Sequence, residues 1–202
     1  MTVTVAKPGV AARIYLLRDG GKVWPVSREV PSTQRGDLLD ALYAGPTSTE
    51  RRSGFSTDVA AAMPQERLVL AQEVFTLSQF DPTAPVVIGG KSYSRSDFED
   101  ETPIILVESP LPFTRVTSPL RVTGTADTFE ATFDYDLVAA DGKVLAHHFV
   151  TATSGNGARG TFDFTARFTV PSEQQGKLVV YELSAKDGSR IHQSEIPLTL
   201  EP

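Results

Sequence analysis

Histidine is the residue type whose spacing first suggests a metal site, because His147 and His148 are adjacent. Imidazole nitrogens are common zinc ligands, but successive side chains of a β-strand point to opposite faces, so adjacent rings do not converge on one ion. Both readings, a metal ligand and an ordinary strand residue, are open, and the strand geometry favours the second. The chain has no cysteine, which excludes disulfides, thiolate metal sites and cysteine nucleophiles.

Acidic residues form two groups that could also do chemistry. Glu130, Asp134 and Asp136 share one face of a predicted strand, where paired carboxylates could exchange protons or hold calcium. Their alternation with aromatic residues favours the alternative, a solvated outer face that discourages edge aggregation. The run from 97 to 101 lacks the glycine that permits the sharp turn of a calcium loop, so a solvated linker or helix start is favoured there.

Motifs of enzymes are missing from the sequence. Gly-x-Ser-x-Gly does not occur, and Gly89-Gly90 lacks the spacing of a dinucleotide or phosphate loop. No nucleophile–base pairing is visible, which makes a hydrolase a weak third possibility. We therefore predict a protein that is not an enzyme, with no catalytic residue, cofactor or bound metal.

Three residues are candidates for recognition. Trp24, the only tryptophan, lies on a strand that carries Pro25, and it could anchor a partner or a sugar ring or simply pack in the core. Asn156 and Arg159 lie in a glycine-rich loop, 154–160, and loops on a rigid sandwich often carry recognition. The same loop could equally be a long flexible hairpin.

Composition excludes several classes of protein. The 202 residues carry a formal charge of −6, which argues against nucleic acid as a partner. No apolar run approaches the roughly 18 residues of a membrane helix, so no transmembrane segment is predicted. The first five residues lack the features of a secretory signal, which leaves a cytosolic protein or a chain whose signal has been removed.

The first half of the chain mixes strand and helix patterns. A strand at 13–18, a turn at Asp19-Gly20-Gly21 and a returning strand form a predicted hairpin. Helical spacing of apolar residues predicts one helix around 38–42 and a second from about Pro64 to Gln79. Residues 85–88 then read as a strand that ends at Gly89-Gly90.

The second half follows a period of two. Several short strands with turn residues between them indicate a β-sandwich of about 100 residues. We predict that five aromatic side chains face its core: Phe129, Phe133, Phe162, Phe164 and Phe168. The boundary between the two halves falls at the acidic stretch that ends in Pro103.

Residues 103–201 resemble the immunoglobulin-like domain of bacterial spore-germination and sporulation proteins. The resemblance rests on Ile105–Pro112, Val116–Ala126, Phe129–Phe133, the turn at Asp141-Gly142, Gly160–Phe162 and Ser184–Ser189. Its order and spacing are more specific than any single motif in the chain.

Residues 1–101 resemble the GerMN domain, the usual neighbour of that module. The matching segments are Ile14–Gly20, Val26–Val30, Leu42–Thr47, Ala71–Phe80 and Ser94–Asp100. About two strands of ordinary length are absent between Gly54 and Pro64. The expected fold class is α+β, with a shortened α/β GerMN-like domain over 1–101 and an all-β immunoglobulin-like sandwich over 102–202.

These resemblances imply a non-catalytic, extracytoplasmic protein of a bacterial cell envelope, in a family whose members are exported or lipid-anchored. The implied partners are other envelope proteins or cell-wall glycan, and the alternative function is a carbohydrate-binding accessory protein. A homodimer is also possible. We expect the strand at Val86–Ile88 to be central in its sheet or to pair across a subunit contact, because nothing in its sequence blocks an edge. In the alternative, the second helix covers the reduced sheet through Leu68 and Phe75, which leaves a monomer.

Overall fold

A computed structural model describes residues 9–58 and 65–202. The chain divides into two compact units, the first ending at Thr102 and the second beginning at Pro103. Strands outnumber helices in the described residues, so the fold is mostly β with some helices. None of the helices within 9–58 and 65–202 combines the length and the apolar character required to cross a bilayer.

The first unit is built on a hairpin packed against helices. Strand β1 (Val10–Arg18) pairs with β2 (Lys22–Val30) in an antiparallel hairpin, whose turn residues Asp19, Gly20 and Gly21 all have positive φ. The helices are α1 (Arg35–Tyr43), α2 (Ser48–Arg52) and α3 (Glu66–Leu77), followed by a small hairpin of β3 (Val86–Ile88) and β4 (Lys91–Tyr93) and a 3₁₀ segment, Arg95–Glu101. The predicted start of the second helix at Pro64 lies outside the described residues.

Side chains of α3, and of Gln79 just beyond its end, bond to the free edge of β1. The amide N–H groups of Arg13 and Tyr15 donate to Gln79 Oε1 at 2.6 Å and Thr76 Oγ1 at 3.1 Å, and Gln72 Nε2 donates to the Tyr15 carbonyl at 3.1 Å. All three of these side chains, of Gln72, Thr76 and Gln79, are buried. The helix and the residues that follow it therefore cover this edge of β1 with polar side chains as well as with the buried ring of Phe75.

Strand β3 is not central in a sheet, which corrects one branch of the expectation for Val86–Ile88. Among the described residues of the first unit, it pairs only with β4, in a two-stranded sheet. Val87 is 58% exposed, but its carbonyl accepts a hydrogen bond of 2.7 Å from Arg35 Nη1 on α1. Arg35 thus occupies a hydrogen-bonding group at this edge. It lies about 50 residues away in sequence, so the sequence of the strand alone gives no sign of it. Pairing across a subunit contact stays a prediction.

The second unit is a β-sandwich of two sheets. Three strands form one sheet in the order β10-β7-β5, and five form the other in the order β6-β12-β11-β8-β9. Their bounds are β5 (Ile105–Ser109), β6 (Arg115–Val116), β7 (Leu120–Ala126), β8 (Thr132–Ala139), β9 (Val144–Thr151), β10 (Gly160–Ala166), β11 (Gln174–Leu183) and β12 (Arg190–Leu200).

The sandwich core contains three of the five predicted phenylalanines. Phe133, Phe162 and Phe168 are buried, Phe164 is half-buried, and Phe129 is 64% exposed, so its prediction is wrong. The rings of Phe133 and Phe162 meet edge to face at 4.9 Å between centroids. Beside them Gly124 has no room for a side chain, because a Cβ there would lie 2.0 Å from the Leu106 carbonyl oxygen and 2.6 Å from the Phe162 ring.

Candidate functional site

One end of the sandwich, which we call the loop end, brings three connections together. They are 127–131 between β7 and β8, 152–159 between β9 and β10, and 184–189 between β11 and β12. The first two are joined by a hydrogen bond of 3.1 Å from Asn156 N to the Thr128 carbonyl. Glu182, beside the third, accepts a hydrogen bond of 2.8 Å from the Phe129 N–H.

The turn at Phe129–Ala131 holds its backbone in an unfavourable conformation. Glu130 and Ala131 have φ of 53° and 57°, the left-handed region that residues other than glycine rarely occupy. This turn ends the alternation that predicts Phe129 in the core, because strand β8 begins only at Thr132. Phe129 therefore projects its ring into solvent at the loop end.

The buried carboxylate of Glu182 and the side chain of Asn156 bond to the backbone of this turn. The Glu182 side chain, in a residue that is 5% exposed, uses one oxygen for the Phe129 N–H and the other for His192 Nδ1. His192 itself has φ of 50°. From the neighbouring loop, Asn156 Oδ1 accepts a hydrogen bond of 3.1 Å from the Glu130 N–H.

The loop 154–160 is fixed to the sandwich by its own hydrogen bonds. Gly157 N donates to Asp127 Oδ1 at 2.7 Å, and a Cβ on Gly155 would lie 2.4 Å from the Thr128 carbonyl oxygen. Arg159 is turned inward, where its guanidinium donates to the Pro103 carbonyl at 2.9 Å and to Thr125 Oγ1 at 3.3 Å. The sequence thus located this loop, in which Asn156 and Arg159 act as supports. A direct role for them in recognition stays a prediction.

Trp24 is not on the surface, which corrects its candidacy as an anchor for a partner. Its side chain is 1% exposed and is among the largest fully buried groups of the first unit. The Arg18 guanidinium lies 5.4 Å from the centroid of the Trp24 ring. In this structure the ring presents no surface to a partner or a sugar.

Asp136 is buried, which corrects the prediction of a solvated acidic face. It is 3% exposed and receives Arg190 Nη2 at 2.7 Å, His147 Nδ1 at 2.8 Å and, more weakly, Tyr181 OH at 3.4 Å. The Arg190 guanidinium also stacks 3.8 Å over the Tyr181 ring. Burial and the neighbouring Asp136 charge together raise the pKa of the Tyr181 hydroxyl. The cluster is an internally satisfied network that offers no open ligand position.

The adjacent histidines lie on opposite faces, as strand geometry predicts. His147 is opposite Asp136 and His148 is opposite the core residue Tyr135. Within 9–58 and 65–202, no group of three or more potential ligands is arranged to hold a metal ion.

A groove of about 580 Å³ in the first unit is lined by Arg67, Tyr93 and Phe98, among others. Two of its charged groups bond to their neighbours: Arg67 Nε lies 2.6 Å from Glu101 Oε1, and Asp97 accepts a hydrogen bond of 2.7 Å from Ser94 N. Phe98 is 2% exposed beneath Arg67, so the groove has no free aromatic face from this residue.

The loop end presents an exposed aromatic side chain together with other exposed apolar side chains. Besides Phe129, the exposed apolar side chains of Leu183 and Ile191 flank Glu182, at 54% and 38% exposure. Sequence reasoning missed Phe129 and Glu182 as parts of a surface. The signal that could have located the turn is Asp127-Thr128, a pair of turn-forming residues immediately before the apparent alternation.

Comparison with known proteins places the second unit in the immunoglobulin-like class. Residues 104–189 match Gmad2, the immunoglobulin-like domain of bacterial spore germination. The match is confined to the second unit, and it does not show a GerMN domain in residues 1–101.

Comparison with solved structures found low overall similarity. CopC from Methylosinus trichosporium OB3b has a TM-score of 0.30 at 16% identity, covering 48% of this chain and 94% of that chain. WR4, a C. elegans MSP family member, has a TM-score of 0.27 at 15% identity, covering 48% and 96%. No curated protein matches the chain.

Proposed function

We propose that the protein is a non-catalytic interaction module of a bacterial cell envelope, and that the loop end of its second unit binds another envelope protein. This proposal rests on the turn at Phe129–Ala131, which leaves Phe129 64% exposed. In this turn two consecutive residues other than glycine, Glu130 and Ala131, have positive φ. Strain of this kind persists only where surrounding contacts over-determine it, and it concentrates at binding and active sites.

The turn has the physical properties of a preorganised anchor. An exposed aromatic ring contributes a large apolar area, and anchors of this type dominate the energy of many interfaces. Because Glu182 and Asn156 already fix the backbone of the turn, binding would cost little ordering of Phe129's backbone. Leu183 and Ile191, which lie next to Glu182 along and across the sheet, are exposed as well.

Two finer assignments belong to the same proposal. Residues 1–101 form a shortened GerMN-like domain, supported by the segments that resemble that family and by a hairpin whose edge a helix covers. The extracytoplasmic location, and a part in sporulation or germination, are supported by the match of residues 104–189 to a domain of spore germination.

Binding of cell-wall glycan is the less favoured alternative. Sugar rings stack on aromatic platforms, and the only tryptophan is buried. At the loop end, Phe129 is the one aromatic side chain of the three connections, and it has no polar group with which to bond sugar hydroxyls.

Site-specific photo-cross-linking tests the proposal. A photoreactive phenylalanine analogue replaces Phe129 in the full chain, which is irradiated with envelope extract of the source organism. The matched control carries the analogue at Thr165, an exposed position on β10. We expect a discrete protein adduct from position 129, competed by unlabelled protein but not by the Phe129→Ala variant. Equal adducts from both positions, or loss of the adduct only after glycan digestion, would overturn the proposal.

A further inference from the structure

Asn156 is the only asparagine among the 202 residues, and the residue that follows it is Gly157. Asparagine loses its side-chain ammonia most readily before glycine, because glycine has no side chain to hinder attack by its own backbone nitrogen. The chain therefore carries its single asparagine in the most reactive sequence context, and this residue lies in the loop 154–160 at the loop end.

The conformation of the loop explains why these two residue types stand there. Asn156 has φ of 58° and Gly157 has φ of 89°, and Asn-Gly is a preferred sequence for two consecutive residues with positive φ. The side-chain oxygen Oδ1 of Asn156 also accepts the hydrogen bond of 3.1 Å from the Glu130 N–H, which a glycine at this position could not do. The loop end thus depends on a residue that is chemically labile.

Both groups that would react are held by the connection 127–131. The Gly157 N–H donates to Asp127 Oδ1 at 2.7 Å, and Asn156 Oδ1 is bonded to the Glu130 N–H. Deamidation requires the Gly157 nitrogen to lose its proton, and the negative charge of the Asp127 carboxylate beside it opposes a second negative charge there. Attack also requires this N–H to give up its hydrogen bond to Asp127, which costs free energy while the loop is closed.

We infer that Asn156 is a deamidation site that the closed loop end protects, and that Asp127 is the residue that keeps it unreactive. When the loop opens, the Gly157 nitrogen bonds to Cγ of Asn156, and the bond from Cγ to the side-chain nitrogen breaks. The side-chain nitrogen leaves as ammonia with the proton of the Gly157 N–H, and a five-membered succinimide remains. Water then adds to either ring carbonyl and yields aspartate or isoaspartate, without any oxidant or reductant.

Either product changes the loop end. Both products add a negative charge beside Asp127 and Glu130, the residues to which Gly157 and Asn156 are bonded. Isoaspartate also lengthens the main chain by one carbon, because the chain then runs through the former side chain, and the hydrogen bonds to 127–131 no longer fit. This inference concerns the chemistry of the loop itself, so it stands whether or not the loop end binds a partner.

Mass spectrometry of the full chain, incubated at mildly alkaline pH, tests the inference, because no other asparagine contributes to the mass gain. We expect the native chain to convert at least about tenfold more slowly than the chain unfolded in urea. In native Asp127→Ala the rate should rise at least about fivefold. The matched control is Asp187→Ala, which removes a carboxylate bonded to the Ser189 N–H in the third connection and should keep the wild-type rate.

Three results would overturn the inference. One is an absence of conversion in urea, and another is an equal rate in the native and the unfolded chain. The third is a rate in Asp127→Ala no higher than in Asp187→Ala.

Hydrogen exchange supplies a second measurement on the wild-type chain, which is needed if Asp127→Ala does not fold. Low concentrations of urea promote local opening, so conversion of Asn156 should rise in proportion to the exchange rate of the Gly157 N–H. Conversion that does not follow this exchange would contradict protection by the closed loop. Isoaspartate among the products identifies attack by the Gly157 nitrogen, whereas aspartate alone would indicate direct hydrolysis of the side chain and refute the route.

Discussion

Individual side chains decide how the aromatic pattern of the second unit is used. Phe129 and Phe133 stand four residues apart in the same alternation, yet one ring is 64% exposed and the other 1%. The difference arises because Glu182 and Asn156 bond to the backbone N–H groups of Phe129 and Glu130 and hold a turn where the pattern predicts a strand.

Truncation of these two rings should therefore have very different effects. We expect Phe133→Ala to lower the free energy of unfolding of the second unit by about 3–5 kcal/mol, since it empties a core position. Phe129→Ala should change it by no more than about 0.5 kcal/mol, as at other exposed sites. Urea denaturation followed by circular dichroism gives both values. A large loss in Phe129→Ala would show that the ring packs against the protein.

The Asp136 network provides a second comparison between buried and exposed charge. We expect Asp136→Asn to destabilise the second unit by about 1–3 kcal/mol, because Arg190 and His147 lose a charged acceptor that is 3% exposed. Asp163→Asn breaks an ion pair with Arg121 in which both side chains are more than half exposed and screened by water, so it should cost much less than Asp136→Asn. Equal losses in denaturation experiments would refute the distinction.

Among the elements, helix α3 and Gln79, two residues beyond its end, take the place of a strand at the edge of β1. Gln79→Ala removes the acceptor of the Arg13 N–H and should cost about 1–3 kcal/mol in the first unit. Gln34→Ala is the matched control, since Gln34 is exposed and its side chain does not cap α1. Fluorescence of Trp24 during denaturation measures both. A cost for Gln79→Ala no larger than that of Gln34→Ala would show that the edge does not need this partner.

Helix α2 depends on a carboxylate that is sensitive to pH. Burial alone raises the pKa of Glu50, but hydrogen bonds from Arg28 and Thr47 outweigh it and hold the pKa below its ordinary value of 4.5. Both oxygens lie 2.6 Å from the Arg28 guanidinium. A lowered folded-state pKa stabilises the first unit above pH 4.5, and this contribution is lost as the pH falls through the folded-state value.

Glu50→Gln should accordingly destabilise the first unit at pH 7 by about 1–3 kcal/mol, and the difference from wild type should shrink on acidification. Denaturation followed by Trp24 fluorescence between pH 7 and pH 3 measures this. A difference that stays constant over that range would mean that the ion pair does not contribute through its charge.

At the scale of the whole molecule, the two compact units allow separate unfolding transitions. The only tryptophan lies buried in the first unit, so its fluorescence reports that unit alone, whereas circular dichroism reports both. We expect Phe133→Ala to shift the circular dichroism transition of the second unit and to leave the fluorescence transition unchanged. A matching shift in fluorescence would show that the units unfold together.

The sequence alone determined the features that depend on local pattern and chain order. Alternation located most strands of the sandwich, glycine-containing turns located the first hairpin, and the order of motifs from 103 to 201 identified the immunoglobulin-like domain of spore germination. The loop at 154–160 was also found from its composition. These features are encoded by neighbouring residues, so they can be read without knowledge of distant contacts.

The tertiary structure decided everything that depends on partners distant in sequence. Four hydrogen-bonded pairs show this, and the two partners of each lie about 50 residues or more apart in sequence. They are Gln79 with Arg13, Arg35 with Val87, Arg190 with Asp136, and Glu182 with Phe129. The local pattern predicts that Asp136 is solvated and that Phe129 is buried, and the structure shows the opposite for both. A distant donor or acceptor reverses either outcome, because the hydrogen bond offsets the cost of burying a charge or of straining a turn.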